Sequence, residues 1–449
     1  MQITRRLFRP TLTDKGPGTY FCAPKWLADL ADRRKSAARV DWQQAFLLIL
    51  AFVFAIARPN SAHAFQPLDP NSWPFIPVPE VATSPNGGTT YGLMTVFLQH
   101  DTNGDVSSII APDITNNTTL GVGGDFRYLD YPSSDVHWSV TGGAQLEKAH
   151  NIDLTYSIGR DRQKWWSFDG ELFWEDDPTE RFYGIGNHSS QGNETNYATK
   201  QVYFRGLLGI NISEQFQVGV EARPRYVRIG SGAFDLPSPA QLFPKVKGLD
   251  GGSDIYQGLV ASFDNRDSTD LPTRGGIYRV FAGFADRDFG SSFSYTRFGT
   301  ELSHYEPFGQ RFVLAAHTLI QYSPAGNETP FWSLARLGGE GSDFFVDRAT
   351  NRGFGTARFS DNNIEAFNVE LRTRVYALNI FQTKAIIELA PFFDLGKVSH
   401  DFTSNPVDDF HPAGGMGFRA IADPFVVGFV DVGYGNEGIS IFSGIDYPF

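Results

Sequence analysis

The side chains able to do chemistry are scattered along this sequence. After residue 64 the histidines are His100, His137, His150, His188, His304, His317, His400 and His411. None of them stands in a His-x-x-x-His spacing or beside a cysteine, so no metal site is expected. The only cysteine, Cys22, lies near the start of the chain, which leaves no thiol or disulfide chemistry for the rest. Asp101-x-Asn103-x-Asp105 opens like a calcium loop but lacks the following Gly and the distal Glu, and reads as a solvated acidic loop. No Gly-x-Ser-x-Gly elbow is present, which argues against a fused lipase. A Ser–His pair across neighbouring strands stays open as a minority reading. No cofactor and no catalytic residue is expected, and the chain is not read as an enzyme. What remains is electrostatic: an Arg352-Gly353-Phe354 tip, and carboxylates such as Asp394 spaced along apolar segments. An Arg–carboxylate contact taken out of water can pin two segments together.

The elements that must position these charges are strands. Segments of roughly 10 to 15 residues alternate polar and apolar side chains between turn-forming stretches. Phe367, Val369, Leu371 and Val375 share one face, and Asn368, Glu370, Arg372 and Arg374 share the other. Ala385, Ile387, Leu389 and Phe393 likewise oppose Lys384, Glu388 and Asp394. A face with several charges cannot be the core of a soluble sandwich. It can line the wet lumen of a transmembrane barrel whose apolar face meets lipid. The expected fold is therefore an all-β, 16-stranded antiparallel transmembrane β-barrel over residues 91–449, its first strand being 91–100 and its last 438–449. Long connections (101–117, 176–196, 231–252, 323–362 and 397–410) fall at one end, and mostly short turns at the other, as outer-membrane barrels require. The 323–362 connection is far beyond ordinary loop lengths. Folded back into the lumen, its tip would bring Arg352 to Asp394, with Gly353 allowing the turn and Gly415 and Gly417 leaving room on the wall.

Composition and charge agree with export. The run Ala45–Ala57 is a signal-peptide core, and Ala62-His63-Ala64 is a small-x-small cleavage site that gives a mature start at Phe65. Residues 1–64 thus read as a processing segment, and 65–90, rich in Pro, Asn, Ser and Gly, as a periplasmic linker. Beyond Ala64 the chain holds 28 Lys and Arg against 46 Asp and Glu, a net charge of −18. That balance excludes a nucleic-acid binder, which needs cations in excess. With no apolar run of about 20 residues, helical multi-span membrane proteins are excluded too.

The second half carries a family pattern. Asp264-Asn-Arg266-Asp267 with Pro272 and Gly275, Leu337-Gly338-Gly339, Arg352-Gly353-Phe354, Glu370-Leu371-Arg372, Phe392-x-Asp394-x-Gly396 and Gly415-x-Gly417-Phe418-Arg419 occur in order. From about 251 to 449 the chain resembles the bacterial surface antigen barrel, the membrane domain of the BamA/TamA-type outer-membrane insertase superfamily. Asn351 stands where that family usually has Val before Arg-Gly-Phe. At the C-terminus, Ile439, Ile441, Ile445, Tyr447 and Phe449 form an outward stripe, and Phe442-x-Gly444-x-x-Tyr447-x-Phe449 resembles the terminal signal by which such barrels are recognised for assembly.

The resemblance implies a Gram-negative outer-membrane protein, with lipid and the barrel assembly machinery as partners. Family insertases carry periplasmic modules of about 75 residues, and 65–90 is too short for one. The expectation is a member without these POTRA modules, which leaves open a separate periplasmic partner that supplies them. An insertase or translocase for polypeptide or lipid is the family-implied function. A plugged pore or surface barrel without a client is the alternative, and a membrane-embedded lipid hydrolase the third reading.

Overall fold

The computed structural model describes residues 75–84, 88–101, 106–133, 135–146, 149–324, 328–339, 348–380, 383–401, 408–422, 426–445 and 447–449. The expected processing segment and the cleavage site after Ala64 lie outside them.

Eighteen antiparallel strands form a single wall. In chain order they begin with β1 (Ile76–Ser84), β2 (Gly88–His100), β3 (Val106–Asn117), β4 (Gly121–Ser133), β5 (Val136–Gln145) and β6 (Ala149–Ile158). The wall continues with β7 (Trp166–Phe182), β8 (Thr195–Asn211), β9 (Phe216–Ser231), β10 (Gly252–Asp264), β11 (Gly275–Ala285), β12 (Tyr295–Phe308) and β13 (Phe312–Tyr322). Two short strands, β14 (Ala335–Leu337) and β15 (Phe359–Asp361), pair with each other inside the long connection that follows β13. The wall then resumes with β16 (Asn363–Ile380), β17 (Thr383–Ser399), β18 (His411–Ala422), β19 (Val426–Gly435) and β20 (Gly438–Ile445). Each strand pairs with its neighbour in the chain, β13 pairs with β16, and β20 returns to β1.

The count exceeds the expected sixteen by two. β3 lies inside the segment expected as the loop 101–117, and β1 inside the expected linker 65–90. Both escape a period-two reading for physical reasons. In β3 the adjacent Ile109 and Ile110 are both buried, and Pro112 interrupts the pattern. In β1, Pro77 and Pro79 remove two amide donors, a composition that central strands exclude and edges tolerate. The added strands are separated by one expected strand, so the assignment of later loops to the two ends is unchanged. The connections that follow β7, β9, β13 and β17 leave the wall at one end, and the described turns 212–215 and 309–311 lie at the other.

Alternation sorts the side chains as lipid and lumen demand. Along β9, Gln217, Glu221, Arg223 and Arg225 are buried toward the interior while Val218, Val220 and Tyr226 are exposed outward. Among the described residues no helix is long and apolar enough to cross a membrane.

Candidate functional site

The long connection between β13 and β16 enters the lumen, and its tip is fixed by charge. Arg352 is wholly buried. Its Nε donates to Asp394 Oδ2 at 3.0 Å and its Nη2 to Asp394 Oδ1 at 2.9 Å, a two-pronged contact to which the Arg352 backbone N–H adds a third bond, 2.9 Å to Oδ2. The remaining Nη1 donates to Glu370 Oε2 and Asp431 Oδ2, each at 2.9 Å. The guanidinium also lies 3.7 Å from the centre of the Phe392 ring.

Strand register explains the convergence. Inward positions recur every second residue, so β16 offers Asn368, Glu370 and Arg372, and β17 offers Phe392, Asp394 and Gly396. Glu370 is registered with Phe392, Phe392 with Gly415, and Gly417 with Asp431. Glu370 accepts from Arg372 Nε at 2.7 Å and from Arg419 Nη2 at 3.0 Å, and Arg419 lies 3.5 Å from Asp431. Three guanidinium groups thus meet three carboxylates. Burying unpaired charge is prohibitive, whereas a balanced and hydrogen-bonded set is sustainable.

Backbone approaches backbone where the plug meets the wall. A side chain at Gly433 would start 2.1 Å from the Arg352 carbonyl oxygen, and one at Gly353 would start 2.3 Å from Ala413. Only glycine permits such contact. Beside them Phe354 packs in a buried cluster with Leu337, Phe359, Ala366 and Ala413. Asn351, in the position where the family usually has Val, accepts the Gly353 N–H at 3.2 Å and donates to the His411 carbonyl at 2.9 Å.

A second anchor holds the earlier part of the same connection. Phe331 and Trp332 are buried against Tyr197, Val227, Tyr256 and Tyr295. Buried Asp254 accepts from Tyr295 Oη at 2.8 Å and Ser333 Oγ at 2.7 Å, and Arg297 donates to the Ser333 carbonyl at 2.5 Å. The connection is therefore pinned on two stretches of wall, β8–β12 and β16–β19.

At the other mouth, the β10–β11 turn reaches across beneath the lumen. Asp264 and Arg266 pair through two bonds of 2.9 and 2.7 Å. Asp267 accepts the backbone N–H groups of Thr273 at 2.8 Å and Arg274 at 3.1 Å, which closes the turn. On one side Asp270 meets Arg160 at 2.8 Å; on the other Leu271 packs on Ile386, Ile421, Val427 and Tyr447.

Reading the sequence alone expects Arg352 to meet Asp394, puts Glu370 and Arg372 on the charged face by alternation and Gly415 and Gly417 on the neighbouring wall, and names Phe392, Gly396 and Arg419 only through the family resemblance; in the structure all of them face the lumen. It misses Asp431, whose strand alternates poorly because the apolar Val427 and Phe429 share its inward face. It also misses the Trp332 anchor, which no local pattern marks.

The C-terminus departs from expectation. Ile439 is outward and exposed, but β20 stops at Ile445, and Tyr447 and Phe449 turn into the lumen instead of continuing the outward stripe. Arg372 Nη2 donates to the Phe449 carbonyl oxygen at 2.9 Å and its guanidinium lies 3.6 Å from the Tyr447 ring centre. The Phe449 ring stacks on His317 with centroids 5.4 Å apart and packs with Tyr305, Val313 and Ala315. Ala349 of the plug donates its N–H to the Pro448 carbonyl at 3.0 Å, so the chain end and the plug are joined. The physical cause is the buried guanidinium set, whose flat faces and donors attract rings and a terminal oxygen more strongly than lipid attracts the same groups. Gly444 stays in β20, opposite Phe429.

Among the described residues no group of three or more His, Cys, Asp or Glu could hold a metal ion. A comparison with curated proteins returned no match. Among solved structures, BamA from Haemophilus ducreyi lacking POTRA domains 1–3 aligns with a TM-score of 0.49 at 14% identity, covering 79% of this chain and 75% of that one. CdiB from Escherichia coli aligns at 0.44 and 13%, covering 83% of this chain, which spans 62% of CdiB. Wzi from Escherichia coli, an outer membrane protein involved in group 1 capsule assembly and a carbohydrate-binding β-barrel, aligns at 0.36 and 10%, with 84% and 83% covered. Residues 135–419, nearly two-thirds of the chain and most of the wall with its inward plug, match the Omp85 superfamily domain. The chain therefore belongs to the Omp85 superfamily, as one of its outer-membrane β-barrels.

Proposed function

We propose that this barrel is an insertase or translocase, passing client polypeptide or lipid sideways through the seam between β1 and β20. The observation that carries the reading is the seam itself. Among the described residues β1 and β20 share one registered pair, Thr83 with Ile441, whereas β1 runs against β2 along its whole length from Ile76 to Ser84. Each missing ladder bond forgoes roughly 0.5–1.5 kcal/mol, so this is the join that opens at least cost. Two prolines in β1 and the early end of β20 favour the same place. The lumen is occupied by the Arg352 plug and the inward C-terminus, which favours a lateral route over an axial one. With the reading go cleavage after Ala64 and a separate periplasmic partner.

The test is a disulfide lock. Paired cysteines replacing Thr83 and Ile441 sit at registered positions, and oxidation should abolish the assembly of other outer-membrane barrels in a strain that depends on this protein, with reductant restoring it. Full assembly with the seam locked would refute lateral passage. A second reading, a plugged surface barrel without a client, draws support from the balanced charge set around Arg352. Deletion separates the two for polypeptide clients: failure of other barrels to assemble supports insertion, and unchanged assembly removes it.

A further inference from the structure

We infer that the outer wall of β8–β11 carries a binding site for one phosphate-bearing lipid of the outer leaflet. The outward side chains of β9 run from Phe216 through Val218 and Val220 to Tyr226. Ten residues at about 3.3 Å each, tilted by about 40°, span about 25 Å, the height of the apolar band of such barrels. Tyr226 and, two strands away, the outward Trp174 therefore mark the upper interface, on the side of the long loops.

Arg228 is the next outward residue above Tyr226, and Lys200, its registered partner on β8, is the next above Val202. Two cations thus face each other across neighbouring strands at headgroup depth. Like charges placed so are destabilising unless an anion lies between or beside them. The groups around them are few. Asp176 on β7 pairs with Lys200, His150 on β6 is registered with Asp176, and the Tyr226 hydroxyl accepts from Arg228 Nε at 3.2 Å. One carboxylate against two cations leaves a net positive charge where lipid phosphates lie.

Below this pair the same face is hollowed. A groove runs over β7 to β12, lined by Phe204, Leu208, Val220, Ala222, Leu259 and Phe284. Its walls are mostly hydrocarbon, with Gln257 and Thr296 as polar members, and hydrocarbon chains surround it. A headgroup phosphate on Lys200 and Arg228 with an acyl chain in the groove satisfies both features with one molecule. Tyr226 acts as a positioning residue for the Arg228 guanidinium.

The experiment uses the full barrel in nonionic detergent, with native mass spectrometry reading bound lipid and heat-modifiable gel mobility confirming the fold. Phosphatidylglycerol, phosphatidylcholine, a bis-phosphorylated glycolipid and inorganic phosphate are added separately. One phosphatidylglycerol or glycolipid should be retained in preference to phosphatidylcholine. Lys200→Gln with Arg228→Gln should lower that retention roughly 25-fold, about fivefold per cation, while Arg228→Lys keeps most of it. Ala222→Trp, which fills the groove, should weaken retention of every lipid. Equal retention of phosphatidylglycerol and phosphatidylcholine by the wild type, an unchanged double variant, or an unchanged Ala222→Trp would overturn the site. Competition by inorganic phosphate as effective as lipid would show a free-anion site and overturn the assignment to lipid.

Discussion

Arg352→Ala removes the centre of the lumenal charge set, and the structure shows which partner suffers. Glu370 keeps Arg372 at 2.7 Å and Arg419 at 3.0 Å, and Asp431 keeps Arg419 at 3.5 Å. Asp394, fully buried, loses both prongs of its guanidinium partner. Breaking one buried pair by removing a single partner costs roughly 3–5 kcal/mol. Applied to docking of the 348–358 segment alone, that lowers the docked-to-released ratio on the order of 100- to 4,000-fold. Trp332 still holds the earlier part of the connection, so release is confined to the tip. Single-channel recording in planar bilayers reads the change, with wild type closed and Arg352→Ala showing frequent openings. Arg352→Lys keeps the charge but not the fork and should fall between them. Arg352→Met combined with Asp394→Asn removes the stranded charge and should recover part of the loss, a coupling of roughly 0.5–3 kcal/mol. Identical traces from wild type and Arg352→Ala would refute the reasoning. So would a double variant as open as the sum of its parts.

Two further outcomes follow from the chain end and the lower turn. Phe449→Ala empties a buried ring site against Tyr305, Val313 and His317, so thermal unfolding in detergent should show a loss of about 3 kcal/mol, and an unchanged transition would place the ring in lipid after all. In the β10–β11 turn, burial raises the Asp267 carboxyl but is outweighed by bonds from the Thr273 hydroxyl and the N–H groups of Thr273 and Arg274, which hold it below the usual 3.8. The turn therefore keeps its full support above that pH and loses it as the pH falls through the lower folded value. Amide protection at Thr273 and Arg274, measured against the intrinsic exchange rate at each pH, should fall there, and Asp267→Asn should abolish the pH dependence.

Much of the architecture is legible in local pattern. Glu370, Arg372, Glu388 and Asp394 can be assigned to the interior from alternation alone, because successive side chains of a strand point to opposite faces whatever surrounds them. A charged face opposite an apolar one then requires a membrane barrel, and an overlong connection holding Arg352 supplies its plug. Asp431 escapes that rule because the apolar Val427 and Phe429 share its inward face, and β1 and β3 escape it because prolines and a doubled isoleucine erase the period that marks a strand.

What the sequence by itself determined is the inward or outward facing along most wall strands, the acidic balance of the chain, and the spacing that lets Arg352 reach Asp394. Only the tertiary structure decided that eighteen strands close the wall, that the join lies at Thr83 and Ile441, and that Tyr447 and Phe449 turn inward to the guanidinium groups. The reason is range. Facing follows from covalent geometry between neighbours. Closure joins Thr83 to Ile441 and the chain end reaches back to Arg372, 77 residues away, and such attractions exist only once the wall has brought the partners together.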